Sequence, residues 1–108
     1  MEFDSNKSSL KIIDVKTGSI IAPATSGTAS NEVVIPHGLG NDELIVYLTA
    51  KWSSTNRYVT SPWTTPDGKY GIKVSFDTTN VYITAYSSTA GTPNPATTFD
   101  YNLLIAIP

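Results

Sequence analysis

Residues 43–52, ELIVYLTAKW, carry the pattern that decides the fold. Apolar side chains occupy every second position of this stretch and share one face: Leu44, Val46, Leu48, Ala50 and Trp52. Successive side chains of a β-strand point to opposite sides, so a period of two predicts a strand with one face in a core. A surface helix would place its apolar residues three and four positions apart instead.

The same alternation recurs on both sides of this stretch. Residues 70–76 and 81–86 alternate around a short connection, which predicts a β-hairpin, and residues 99–107 form a last alternating strand. Shorter apolar runs predict strands at 10–15, 19–22, 32–35 and 57–60. Since no segment has a helical stripe with capping residues, the chain is predicted to be all-β. We expect a small antiparallel β-sandwich, jelly-roll-like, with seven or eight strands.

Glycine, proline and polar residues predict the connections between these strands. Residues 16–18 are expected to form a turn, 23–30 a loop, and 61–68 a loop that closes in an Asp-Gly turn. Residues 1–9 are polar and without periodicity, which predicts a flexible N-terminal tail. A chain of 108 residues forms one core, so residues 10–108 are predicted to be a single domain.

Composition argues against several functional classes. The seven cationic residues are scattered among nine acidic ones, which gives a net charge of −2 and no basic patch for nucleic acid. No apolar run is long enough for a transmembrane helix, so membrane insertion is not expected. The absence of cysteine excludes disulfides and thiolate metal sites. Roughly a quarter of the residues are Ser or Thr, a balance typical of extracellular and virion β proteins.

The sequence contains no recognisable catalytic constellation. His37 is the single histidine, and no serine lies in a nucleophile-elbow motif. The acidic residues do not form the array of a calcium loop, although two of them could converge as in a glycosidase. We therefore expect a non-enzymatic protein with no catalytic residue, no metal site and no cofactor. His37 is expected to bond a loop carbonyl through its ring.

One aromatic and polar cluster is a candidate binding site for a cell-surface glycan. Sugars stack their C–H faces on aromatic rings and need planar hydrogen-bonding groups at their edges. The candidate residues follow a predicted turn at 53–56 or lie in the predicted loop at 61–68: Arg57, Tyr58, Trp63 and Asp67. The alternative is that Trp63 covers the end of a sheet, while Trp52 continues the inward face of its strand and belongs to the core.

Several positions on the second faces of the predicted strands are too apolar for surfaces left in water. These positions are Ile45, Tyr47, Tyr82, Tyr86 and Leu104. Either a second layer within the chain covers them, or neighbouring subunits do. A chain this short can hardly cover both faces of two sheets, so they are candidate subunit-interface residues of a homo-oligomer.

Residues 33–40, VVIPHGLG, resemble a segment of bacteriophage tail-fibre and receptor-binding β modules, in which an apolar strand enters an IPHGLG-like turn. The turn residues are Pro36, His37, Gly38 and Gly40, and the two glycines permit positive φ. The resemblance implies a trimer at a receptor-binding tip and brings no catalytic residue with it. It therefore implies a virion module, a trimeric tail-fibre or tip domain in a tail or surface appendage that binds a cell-surface glycan. The alternatives are an extracellular carbohydrate-binding accessory domain of a secreted enzyme and a purely structural head or tail decoration protein.

Overall fold

The computed structural model describes residues 11–40, 43–89 and 93–107, which form eight β-strands. The predicted tail at residues 1–9 lies outside the described residues. The strands are β1 (Lys11–Ala22), β2 (Thr28–Pro36), β3 (Ile45–Trp52), β4 (Arg57–Thr60), β5 (Trp63–Thr64), β6 (Tyr70–Phe76), β7 (Asn80–Ser88) and β8 (Thr97–Ile107).

The strands form two four-stranded sheets that pack face to face. Sheet I has the order β1-β8-β3-β4 and sheet II the order β2-β7-β6-β5. Every pairing between named strands is antiparallel. The pairing of β1 with β8 and of β2 with β7 gives the sandwich its jelly-roll-like nesting. The predicted all-β antiparallel sandwich of seven or eight strands is confirmed.

The core lies between the inner faces of the sheets, where period-two alternation places it. The apolar face predicted for β3 is confirmed, since Leu48 and Ala50 are buried and Trp52 packs against the core. The largest fully buried side chains come mainly from β6, β7 and β8: Ile72, Val81, Ile83, Phe99, Leu103 and Ile105. Burying one such side chain stabilises the fold by about 1.5–3 kcal/mol relative to leaving it exposed.

Three predictions about local structure were wrong. The predicted turn at 16–18 lies within one long strand, β1, in which Gly18 pairs with Tyr101. A Cβ on Gly18 would lie 2.5 Å from the Tyr101 hydroxyl oxygen, so this glycine makes room for a ring and does not form a turn. Strand β2 begins at Thr28, inside the predicted loop, because its first residues pair with the end of β7. The predicted loop at 61–68 contains the two-residue strand β5.

Gly71 plays the same part on the outer face of sheet II. It pairs with Tyr86, whose ring lies so close that a Cβ on Gly71 would overlap ring atoms. The Tyr86 hydroxyl forms a 2.5 Å hydrogen bond with Thr64 Oγ1 on the neighbouring strand β5. An aromatic ring that covers a strand glycine shields the backbone there and fixes the strand register.

We expect Gly71→Ala to lower the free energy of unfolding by about 1–3 kcal/mol, because the new methyl group overlaps the Tyr86 ring and forces it aside. Urea denaturation measures the difference. The matched control is Gly27→Ala, since a Cβ on Gly27 would meet no atom within 4 Å. Equal unfolding free energies for the two variants would contradict the proposed role of the ring.

Candidate functional site

The IPHGLG-like turn folds onto the connection between β6 and β7. Gly38 and Gly40 have φ of 66° and 68°, which confirms the predicted positive φ. The Leu39 amide donates to His37 Nδ1 at 3.1 Å, so Nδ1 is the unprotonated ring nitrogen. Nε2 therefore carries the hydrogen and donates to the Asp77 carbonyl at 2.8 Å. The expectation that His37 bonds a loop carbonyl is confirmed.

Asp77 organises the connection that receives this turn. Its Oδ1 accepts from the amides of Thr79 (2.9 Å) and Asn80 (2.7 Å), and its Oδ2 accepts from the Tyr82 hydroxyl at 2.6 Å. These donors, the Tyr82 hydroxyl foremost, lower the pKa of Asp77 to about 2. The same bond raises the pKa of the Tyr82 hydroxyl. The segment is thus a hydrogen-bonded structural junction.

The pKa of Asp77 makes part of the stability dependent on pH. A carboxyl group whose pKa is lower in the folded state than in the unfolded state stabilises the fold above its unfolded value, and this contribution disappears as the pH falls towards the folded value. The melting temperatures of the parent and Asp77→Asn should therefore differ most above about pH 4 and converge towards about pH 2. Tyr82→Phe, which removes the main donor, should move the parent's acid transition to higher pH. If the difference in melting temperature between the parent and Asp77→Asn stays constant from about pH 6 to about pH 2, the stabilising role of the Asp77 carboxylate is contradicted.

Gly38→Val should destabilise the protein by about 1–3 kcal/mol, because a β-branched residue is strained at positive φ. Calorimetry would show a melting temperature lower by about 4 °C or more. Gly38→Asn should lower the melting temperature less than Gly38→Val, since asparagine tolerates positive φ better than valine. A Gly38→Val variant that melts with the parent would show that this backbone conformation is not required.

The predicted glycan-binding residues do not form one outward-facing cluster. The ring of Trp63 is half-buried and packs at centroid distances of 5.2 Å from Trp52 and 6.1 Å from Phe99. Trp52 lies on the predicted inward face but is only partly buried: it packs against the core and donates from Nε1 to Thr97 Oγ1 at 2.9 Å. The geometry matches the alternative interpretation, in which Trp63 covers a sheet end.

Strand alternation separates the other members of that cluster. Arg57 pairs with Trp52 on the inward side of β4, whereas Tyr58 pairs with Lys51 and points to the outer face of sheet I. Tyr58 is 72% exposed. Asp67 lies in the turn before β6, where its Oδ1 accepts from Thr65 Oγ1 and the Lys69 amide; these bonds lower its pKa. Asp67 therefore has the turn role that its Asp-Gly sequence predicts, and the glycan role of these residues stays a prediction.

The five candidate interface residues lie on two opposite surfaces. Ile45, Tyr47 and Leu104 are on the outer face of sheet I. Tyr82 and Tyr86 are on the outer face of sheet II, where each has a partner within the chain: Asp77 for Tyr82, and Gly71 with Thr64 for Tyr86. Contacts within the chain thus account for the two tyrosines of sheet II, but not for the apolar residues of sheet I.

The apolar part of the outer face of sheet I contains residues that the sequence pattern did not single out. Val15 and Tyr47 flank Leu104 in one row, and Ile12 and Ile45 flank Ala106 in the next. Val15 is 59% exposed and Ile12 58%. A β-bulge after Ile12 interrupts the alternation of β1, and this explains why the pattern alone did not identify Ile12. We call Ile12, Val15, Ile45, Tyr47 and Leu104 the sheet I patch.

Comparison of the chain with protein-family models, with curated proteins and with solved structures finds no match. Within residues 11–40, 43–89 and 93–107, no three potential metal-ligating side chains come together. The same residues contain no helix long and apolar enough to cross a membrane.

Proposed function

We propose that the protein is a non-enzymatic virion module that assembles with copies of itself through the sheet I patch and presents a glycan-binding surface. The observation that carries the proposal is this patch, whose large apolar side chains stand side by side in two cross-strand rows. Contiguous exposed apolar surfaces are typical of protein–protein interfaces.

The composition of the surrounding face supports self-association. Beyond the patch the outer face of sheet I turns polar, first with Thr17, Asn102 and Thr49, then with Ser19, Asp100 and Lys51. Asp100 lies between Ser19, which donates to it at 2.6 Å, and Lys51. Apolar residues bordered by polar ones are common in interfaces. The bordering charges of Asp100 and Lys51 have opposite signs, so a second copy would bring no net charge to this border.

The trimeric state and the location at a tail fibre or tip follow from the resemblance of residues 33–40 to phage modules. The structure of the turn is compatible with that resemblance, because the two glycines have the positive φ that a tight reversal requires. A carbohydrate-binding accessory domain would instead be a monomer, and a decoration protein would be an oligomer without glycan affinity. Measurements of oligomeric mass and of glycan affinity together distinguish these three functions.

Leu104→Asp should reduce the oligomer to the monomer, because its carboxylate would have to be buried without a partner in the patch. Sedimentation equilibrium at micromolar concentration measures the mass, and circular dichroism verifies the fold. The matched control is Asn102→Asp, which places the same charge on the same face of β8 in the polar rows and should keep the oligomer. A folded Leu104→Asp variant with the parent's oligomeric mass would rule out this interface. A parent that is monomeric under these conditions would overturn the proposal.

A further inference from the structure

A shallow depression of about 320 Å³ lies on the outer face of sheet II, on the side of the sandwich opposite the sheet I patch. Strand β7 forms its floor, and β2 and β6 form its sides. The side chains that line it are mostly hydroxylic, with one cation: Thr28, Ser30, Lys73, Thr84, Tyr86 and Ser88. Its volume lies at the lower end of the range for small-molecule sites, about 300–1,000 Å³.

The contact between Tyr86 and Gly71 creates this depression. Gly71 has no side chain, so the Tyr86 ring lies across it and reaches Thr64 on β5 with its hydroxyl. The ring therefore leans away from β2, where its direct cross-strand neighbour is the small residue Ser30. One face of the ring covers the glycine, and the opposite face is turned outward beside the depression.

The polar groups around the ring are available to a ligand. Within the described part of the chain, no hydrogen bond uses the side chains of Thr28, Ser30 or Thr84, and Lys73 forms no salt bridge. Thr84 on β7 pairs with Lys73 on β6 and with Glu32 on β2. The site thus combines an aromatic face, several hydroxyls and a cation, with a carboxylate one strand beyond Thr84.

We propose that this depression binds a small saccharide that carries a carboxylate group. The apolar face of the sugar would stack on Tyr86, its hydroxyls would bond Thr28, Ser30 and Thr84, and its carboxylate would pair with Lys73. Glu32 lies on β2 across Thr84 from Lys73, so its negative charge would disfavour the orientation that turns the ligand's carboxylate towards β2. This inference rests on the proposed function, since it takes the ligand of the module to be a glycan.

The position of the depression fits presentation by an oligomer. The sheet I patch and the depression lie on opposite outer faces, so self-association through the patch leaves the depression open. A shallow site binds a single saccharide weakly, and several copies held in one assembly raise the overall affinity through a high effective concentration.

The test is a titration of the full, ¹⁵N-labelled chain followed by amide chemical shifts. The probes are the methyl glycosides of glucuronic acid and sialic acid, with methyl glucoside as the neutral comparison. We expect saturable shifts at residues 28–30, 71–73 and 84–88, stronger binding of the two acidic sugars, and weaker binding as salt concentration rises.

Two variants test the site directly. Lys73→Met should weaken binding of the acidic sugars by about two- to fivefold, the effect of one exposed ion pair, and leave binding of methyl glucoside unchanged. Ser30→Tyr should fill the depression and abolish saturable shifts for every sugar. The control is Lys51→Met, which makes the same charge change on the outer face of sheet I and should bind like the parent.

The outcomes distinguish this site from the proposed function. Shifts centred on Arg57, Trp63 and Asp67, with Trp63→Ala abolishing them, would overturn the depression as the site and leave a glycan-binding module. Equal effects of Lys73→Met and Lys51→Met would also overturn it. If no sugar produces saturable shifts while the chain still assembles, the saccharide ligand is wrong and the assembly surface is unaffected.

Discussion

The arrangement of the molecule depends on the core shared by β7 and β8. Each strand is hydrogen-bonded on both sides within its own sheet, and each contributes an unbroken row of buried alternate side chains. The row of β8 includes Phe99, Leu103 and Ile105, and that of β7 includes Val81 and Ile83. A shift of one residue in either strand would turn this row outward, so the core fixes the register of both sheets. Register in turn decides which residues share each outer face.

Two contacts between tyrosine and glycine refine this arrangement, one inside the core at Tyr101 and one on the outer face of sheet II at Tyr86. Tyr101 lies over Gly18 on β1, and Tyr86 lies over Gly71 on β6. Because the Tyr86 ring lies over Gly71 and leans away from β2, the outer face of sheet II has a depression with an aromatic edge. On the outer face of sheet I, the apolar side chains of the patch stand in two adjacent cross-strand rows. This difference between the two faces is the basis on which we propose ligand binding on sheet II and assembly on sheet I.

Much of the fold could be predicted from the sequence, because burial on one side of a strand leaves a period of two. That signal located β3, the β6–β7 hairpin and β8, and the tolerance of glycine for positive φ identified Gly38 as a turn residue. It failed at Gly18, whose role depends on Tyr101, a partner far along the chain. It failed at the start of β2 because polar residues that pair at a sheet face give no apolar alternation.

The candidate sites were harder to predict for the same reason. Tyr58 and Arg57 are neighbours in sequence, but alternation places them on opposite faces of β4. Trp63 lies in a segment rich in proline and threonine that is typical of a loop, and yet its ring packs against Trp52. The depression on sheet II brings together three strands from different parts of the chain, so no local motif marks it.

Hydroxyl-radical footprinting of the parent chain across a dilution series tests the central claim most directly, because tyrosine side chains on both faces report separately. Tyr47 lies within the sheet I patch, Tyr58 lies on the same face beyond it, and Tyr86 lies on sheet II. Labelling of Tyr47 should rise as the oligomer dissociates, while labelling of Tyr58 and Tyr86 stays constant. Constant labelling of Tyr47, or protection of Tyr86 at high concentration, would contradict the assignment of assembly to sheet I.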